Sequence, residues 1–316
     1  MSPRVSIIIP TYNRAHLIGE TLDSIRAQTY AHWECIVVDD GSTDETKLVL
    51  QKYQEQDARF IYVKRPENRP KGGNAARNYG FEICAGEFVQ WFDSDDLMHP
   101  DFLQKKIVVL LDGPSIPFVV SRTENFNTTE TFSLKKYDNN LKRAPNFANY
   151  IKGIVYWMTP DFLIRKDKVG SITFDEELTS GQETNFFIKV LSNIEESGTY
   201  INETLTKRRI HDGSIRSELM DKENDDIITN SKITSWLSAY NTIKNDITKA
   251  KRKILVNRLI NFIYHLNKTN QGDSNFKKIR KEVFLQKGFL KGFAFILAIT
   301  FKNSKGSYSL VQYSKS

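Results

Sequence analysis

Phe88-Val89-Gln90-Trp91-Phe92-Asp93-Ser94-Asp95-Asp96 is an apolar stretch that ends abruptly in three carboxylates within four residues. A short apolar run of this kind fits a strand buried on both faces. Clustered carboxylates repel one another and resist ionisation unless positive charge meets them. A divalent cation carrying a phosphorylated ligand is the expected source. Oxygen-only ligands suit Mg2+ or Mn2+. One or two protein carboxylates suffice, because diphosphate oxygens and water complete the shell.

The same logic extends to the rest of the N-terminal half. Apolar β-rich runs predict strands over 5–9, 35–38, 60–63 and 88–92. Helical spacing predicts helices over 15–27, 43–53, 75–84 and 100–111. Asp44 and Glu45 are expected in the first turn of the second helix, where they suit its positive dipole end. Alternation of this kind is the pattern of an open, mostly parallel α/β sheet flanked by helices. Ligands of such sheets bind beyond the carboxyl ends of the strands. The polar tips Thr11-Tyr12-Asn13-Arg14, Asp39-Asp40-Gly41-Ser42 and Asp93-Ser94-Asp95-Asp96 fall there.

Between about 115 and 210 the pattern weakens, with strands predicted over 118–121 and 204–210 and a helix over 182–191. Beyond 221 strands vanish, and helices are predicted over 225–243, 247–266 and 275–284. The expected organisation is a domain over 1–220, with halves 1–112 and 113–220, followed by a basic helical extension over 221–316.

Asp39 and Asp40 end a buried strand. They suit a turn and helix cap, or a carboxylate that accepts from a base or a ribose hydroxyl. Arg77 follows Gly72-Gly73-Asn74 on the next helix and is spaced to reach phosphates beside the acidic cluster. Trp91, Tyr156 and Trp157 are either sugar-stacking faces or core residues.

VSIIIPTYNR (5–14), VVDDGSTDET (37–46), GGNAARNYGFEICAGEFVQWFDSDD (72–96) and GQETNFF (181–187) together resemble family 2 glycosyltransferases with the GT-A fold. The resemblance covers about residues 4 to 216. It implies that Pro10, Thr11, Tyr12, Arg14, Asp39, Asp40, Asn74, Arg77, Asp93 and Ser94 bind a nucleotide-sugar, most often UDP-linked. It implies that Asp95 and His211 hold Mn2+ or Mg2+, with Asp93 and Asp96 as further candidates. Glu183 stands where the family more often has an aspartate base, one methylene longer. Trp157 and Gln182 are the candidates on the acceptor side. With one base opposite one leaving group the implied reaction is an in-line displacement that inverts the anomeric centre. Surface-polysaccharide or lipid-linked glycan assembly is the family's usual employment.

Two rival readings remain at this level. A sugar nucleotidyltransferase would carry a Gly-rich basic loop after its first strand, where this chain has Thr11-Tyr12-Asn13-Arg14. A catalytically idle nucleotide-sugar-binding module would keep the donor residues and lack a working base at Glu183.

The net charge of +7 is unevenly spread. Residues 1–240 carry 29 Lys and Arg against 35 Asp and Glu, and residues 241–316 carry 16 against 3, together the 45 and 38 of the chain. The basic segment also holds the apolar run 288–301, broken by Lys291. Basic clusters beside apolar surface suit an anionic membrane face. Packing on the catalytic domain or on a second subunit is the alternative. No nucleic-acid-binding motif is recognisable. Cys35 and Cys84 lie far apart in apolar patterns, as buried thiols of a reducing compartment do. The run 5–10 is too short for a signal peptide, and no apolar stretch is long enough to span a bilayer. The expected location is cytoplasmic, peripheral at the inner membrane face.

Overall fold

Strand β1 (Val5–Thr11) is buried except at Pro10, and every residue of β2 (Trp33–Asp39) and β4 (Phe88–Trp91) is buried. Strands covered on both faces read as continuous apolar runs. Together with β3 (Phe60–Lys64) they form a parallel block in the order β3-β2-β1-β4. Helices α1 (Ile18–Arg26), α2 (Thr46–Gln56), α3 (Gly73–Ile83) and α4 (Phe102–Asp112) alternate with these strands. In α1 the buried set Ile18, Thr21, Leu22 and Ile25 repeats at the helical period and faces the core.

The sheet continues through β7 (Phe162–Arg165), β6 (Phe118–Phe126), β8 (Thr199–Arg209) and the two-residue β5 (Leu97–Met98). Here the directions mix. β7 runs antiparallel to both β4 and β6, β8 runs parallel to β6, and β5 is antiparallel to β8. β6 and β8 are longer than their apolar runs predict, because their outer halves pair through polar residues such as Glu124 with Lys207. Short helices α5 (Phe147–Ile151) and α6 (Lys166–Val169) and a 3-10 turn over Thr159–Asp161 complete this half.

The computed structural model describes residues 2–126, 137, 140–210, 225–265, 274–300 and 306–316. It falls into two compact units. The first comprises Met1–Leu178 and Ile194–Ser214, and the second Thr179–Asn193 and Ile215–Ser316. The second unit is helical, with α7 (Gln182–Ser192), α8 (Asp225–Ile243), α9 (Lys249–His265), α10 (Ser274–Lys287), α11 (Phe289–Thr300) and α12 (Ser307–Lys315). The sequence places α7 with the sheet, yet its contacts group it with the C-terminal helices. The Asn185 amide donates to the Ser235 carbonyl at 3.0 Å, and Lys251 Nζ donates to the Ser192 carbonyl at 2.8 Å.

One polar network lies inside the first unit. Asp161 accepts from Thr123 Oγ1 at 2.6 Å, Tyr137 OH at 2.7 Å and the Met158 N–H at 2.9 Å. Lys106 Nζ donates to the Asp161 carbonyl at 2.6 Å. Burial drives the Asp161 carboxyl above its ordinary range and the Lys106 ammonium well below its own, while the hydrogen bonds and their mutual attraction pull back. Asp161→Ala keeps the backbone carbonyl that Lys106 binds but strands two hydroxyls and the Met158 N–H and removes the charge facing the lysine, and is expected to cost about 3–5 kcal/mol. Thr123→Val removes one neutral donor and is expected to cost about 1 kcal/mol. Urea denaturation of both variants checks the ranking.

Candidate active site

Parallel pairing brings the carboxyl ends of β1, β2 and β4 to one edge. Thr11 stands opposite Asp39, and Ile8 opposite Trp91. The Asp40 N–H donates to the Thr11 carbonyl at 2.9 Å, and the Phe92 N–H to the Ile8 carbonyl at 3.0 Å. Polar loops leave all three strands at this edge.

The loops after β1 and β2 are stitched together. Asn13, in the left-handed region at φ 51°, accepts the Thr43 N–H at 2.8 Å and donates its own N–H to Ser42 Oγ at 2.9 Å. The Arg14 N–H donates to Thr46 Oγ1 at 2.8 Å, and the Ala15 N–H to Asp44 at 3.1 Å. Asp44 and Glu45 therefore precede α2, which begins at Thr46. The placement of Asp44 within the first helical turn is corrected accordingly: its carboxylate serves the neighbouring loop as well as the helix start. Its slight burial would raise its pKa, but hydrogen bonds from the Thr46 hydroxyl and the Ala15 and Thr46 N–H groups outweigh that and hold it below the usual range.

Asp39 and Asp40 are both buried. Asp39 accepts the Ser42 N–H at 2.8 Å and the Tyr62 hydroxyl at 3.1 Å. Asp40 is paired with Arg65 Nε. The Arg65 guanidinium also donates to the Pro66 carbonyl at 2.8 Å and the Arg69 carbonyl. Tyr62 and Arg65 escape a motif reading. The available signal is an arginine one position beyond the third strand, next to the residue that pairs with Asp39.

The acidic cluster beyond β4 meets two arginines. Arg77, itself buried, donates to Asp93 at 3.0 Å. Arg14 Nε lies 3.6 Å from Asp95. A side chain at Gly73 would put its Cβ 3.2 Å from the Arg77 guanidinium and 3.9 Å from Pro10, so the glycine lets α3 present Arg77 beside β1. Ser94 and Asp96 are buried. Asp96 accepts the Arg209 N–H at 3.0 Å, and the Arg209 side chain ties the Asp95 carbonyl, at 3.0 Å, to Glu20, at 2.7 Å. Burial first, and then the charges of Asp93 and Asp95, push the Asp96 carboxyl well above the usual range.

Among the described residues Thr11 Oγ1, Arg77 Nε and Asp96 Oδ2 are buried polar atoms without a hydrogen-bond partner. Unpartnered buried polar atoms also occur elsewhere among the described residues, at Thr21 and Trp33 for example, but the gathering of these three at one strand edge suits a ligand, an ion or water. Among the described residues no three acidic, cysteine or histidine side chains converge closely enough to hold a metal by themselves.

Tyr12 is 40% exposed with Lys71 Nζ 4.0 Å from its ring centroid. Asn74 is buried and donates to the Asp175 and Leu178 carbonyls at 2.6 and 3.2 Å, so its amide holds that loop to α3. Trp157 is 2% exposed, packed between Tyr150 and the stacked ring of Phe162. Both faces are covered, and the expectation of an open stacking face there is corrected to a core role. Trp91 is likewise core.

Gln182 and Glu183 form the first turn of α7, in the second unit. Gly181 precedes them at φ 67°, and its carbonyl accepts the Asn185 N–H at 3.0 Å and Ser235 Oγ at 2.6 Å. Glu183 is half-buried at the positive end of the helix dipole. His211 lies outside the described residues.

The model of the family "Glycosyl transferase family 2" matches residues 6–171. An uncharacterized glycosyltransferase of Rickettsia typhi is 32% identical over 224 residues, which cover 67% of this chain and 65% of the relative. A UDP-Glc:alpha-D-GlcNAc-diphosphoundecaprenol beta-1,3-glucosyltransferase of Escherichia coli is 32% identical over 123 residues, 39% of this chain and 47% of the relative. The chain thus spans less than two thirds of either relative's length. S. aureus TarS in complex with UDP-GlcNAc is similar in structure, with a TM-score of 0.70 at 19% identity over 99% of this chain and 89% of that one. Glucosyl-3-phosphoglycerate synthase from Mycobacterium tuberculosis, in complex with Mn2+, UDP and glucosyl-3-phosphoglycerate, has a TM-score of 0.54 at 21% identity, covering 75% of this chain and 80% of that one. These structural likenesses establish the GT-A fold.

Proposed function

The chain belongs to glycosyl transferase family 2, and on that premise we propose that it moves a sugar from a UDP-linked donor to a hydroxyl of a glycan or lipid-linked acceptor, with inversion, in surface-polysaccharide assembly. The observation that carries this reading is the meeting of Thr11, Asp39 and Asp40 with Arg14, Arg77 and the Asp93–Asp96 cluster at one strand edge. The E. coli relative, named for UDP-Glc and a diphosphoundecaprenol acceptor, supports the substrate class. A lipid-linked acceptor would place the enzyme at the cytoplasmic face of a membrane, in contact through its basic C-terminal unit.

Asp39 and Thr11 receive the uridine, with Pro10 and Tyr12 lining the same pocket. Asp40, fixed by Arg65, shapes its wall. Arg77 and Arg14 are the cations for the diphosphate, with Asn74 and Ser94 on the same side. The residues fit a hard dication: among the described residues the anionic donors here are carboxylate oxygens, and Asp96 Oδ2 is without a hydrogen-bond partner. Asp95, with Asp93, Asp96 or His211, would hold Mn2+ or Mg2+, which when bound neutralises charge on the leaving diphosphate. Glu183 takes the proton from the acceptor hydroxyl. The acceptor oxygen then bonds to the anomeric carbon as the bond to the phosphate oxygen breaks. The transition state is oxocarbenium-like, and Arg77 stabilises the negative charge that develops on the leaving group.

Titration calorimetry with UDP, in Mn2+ and in EDTA, tests the donor half of this reading. Binding is expected only with the metal. Equal affinity in both buffers removes the metal from the proposal, and no binding in either removes the UDP donor.

A further inference from the structure

The second unit carries a patch that the transfer reaction does not use. Helix α10 ends at Lys287, Gly288 turns the chain at φ +83°, and α11 begins at Phe289. Gly292 lets α11 press against α10, since a Cβ there would stand 2.5 Å from the Phe284 ring. Ala294, Phe295, Ala298 and Ile299 turn inward. The first turn of α11 points the other way. Phe289 is 73% exposed, Leu290 71%, Phe293 49% and, on α10, Leu285 65%. Phe289 and Phe293 stack on each other with centroids 6.2 Å apart.

Lysines border this corner. Partial burial first, and then the charges of Lys253 and Lys291, bring the Lys287 ammonium down to about 8. Lys287 Nζ donates to the Lys315 carbonyl at 2.9 Å, and Lys291 Nζ lies 6.0 Å from the Tyr313 ring centroid. Among the described residues none of Lys253, Lys287, Lys291 and Lys315 pairs with a side-chain carboxylate. Lys277, Lys278, Arg280 and Lys281 add exposed positive charge along α10.

Large contiguous apolar exposure marks a surface that something covers. A second copy of this chain is a poor cover, because a two-fold contact would set lysine cluster against lysine cluster. No described helix is long and apolar enough to cross a membrane. An apolar corner ringed by cations matches a bilayer interface in both of its chemistries. We propose that the α10–α11 corner docks on an anionic lipid bilayer, with Leu285, Phe289, Leu290 and Phe293 in the interfacial layer and Lys253, Lys287, Lys291 and Lys315 against the headgroups. This deepens the membrane contact of the proposed function and does not depend on the donor chemistry.

The test uses the full chain and sedimentation with vesicles of phosphatidylcholine alone or with one-third phosphatidylglycerol. Wild type is expected to bind the anionic vesicles, more weakly at high salt, and to ignore the neutral ones. Lys287→Glu with Lys291→Glu is expected to weaken partition by about 25-fold or more, since each basic residue near the surface contributes roughly fivefold. Phe289→Ser, Leu290→Ser and Phe293→Ser together should weaken it at least as much. The three apolar positions are exposed and Lys287→Glu gives up one bond to the Lys315 carbonyl, so melting temperatures should change little, and UDP titration should give the same affinity for wild type and both variants. Three results overturn the proposal: no binding of wild type to anionic vesicles, binding that survives both sets of changes, or a wild-type dimer in ultracentrifugation that the serine variant dissolves. Failure of UDP binding in wild type would strike the donor reading alone and leave the vesicle result standing.

Discussion

Asp95→Asn is expected to abolish metal-dependent binding of UDP, lowering affinity in Mn2+ by about 100-fold or more, roughly 2.7 kcal/mol. The effect is electrostatic. Asp95 lies on a loop whose backbone is fixed through the Arg209 side chain on its carbonyl, so the substitution changes charge with little change of shape. Its carboxylate is only partly exposed and has Arg14 at 3.6 Å. Asn keeps an oxygen but loses the anionic charge that holds a hard dication. Without the dication the diphosphate meets Asp93 and Asp95 as like charges. In the variant Arg14 also loses its carboxylate and becomes available to phosphate. A residual metal-independent affinity, higher than that of wild type in EDTA, is therefore expected. The measurement is calorimetry of both proteins with UDP in Mn2+ and in EDTA. If Asp95→Asn binds UDP in Mn2+ as tightly as wild type, Asp95 is not a metal ligand and the cluster serves only to seat Arg14 and Arg77.

The parts of this site legible in the sequence are those where one element alone fixes the chemistry. β1, β2 and β4 are buried on both faces, so their apolar runs mark their extent, and their polar ends mark the ligand edge. β7 was not legible. Phe162–Arg165 is only four residues long, and its place between β4 and β6 depends on pairings with residues more than forty positions away. The same holds for Arg65, whose role comes from the register that sets β3 against β2. For Asp44 the helix-start contact to Thr46 is local and legible, whereas its second contact, the Ala15 N–H, belongs to a distant loop. Trp157 shows a different limit. Aromatic composition does not distinguish a ring with an open face from one covered on both sides, and only packing against Tyr150 and Phe162 decides. The grouping of α7 with the C-terminal helices was equally hidden, since it rests on the buried Asn185–Ser235 contact rather than on proximity along the chain.

Glu183→Gln is expected to lower kcat for transfer by about 10³-fold while UDP affinity in Mn2+ stays within a factor of two of wild type. Removal of a positioned general base costs typically about 10²–10⁴-fold. The substitution keeps the size of the side chain and its place in the first turn of α7, where Gly181, Asn185 and Ser235 fix the backbone. Gln still accepts a hydrogen bond from the acceptor hydroxyl, so acceptor KM should move little, and the loss should fall on kcat. Glu183→Asp retracts the carboxylate by one methylene and is expected to be intermediate, because the base survives but its reach does not. A Gln variant within tenfold of wild type would mean that another group takes the acceptor proton and that α7 contributes shape rather than chemistry.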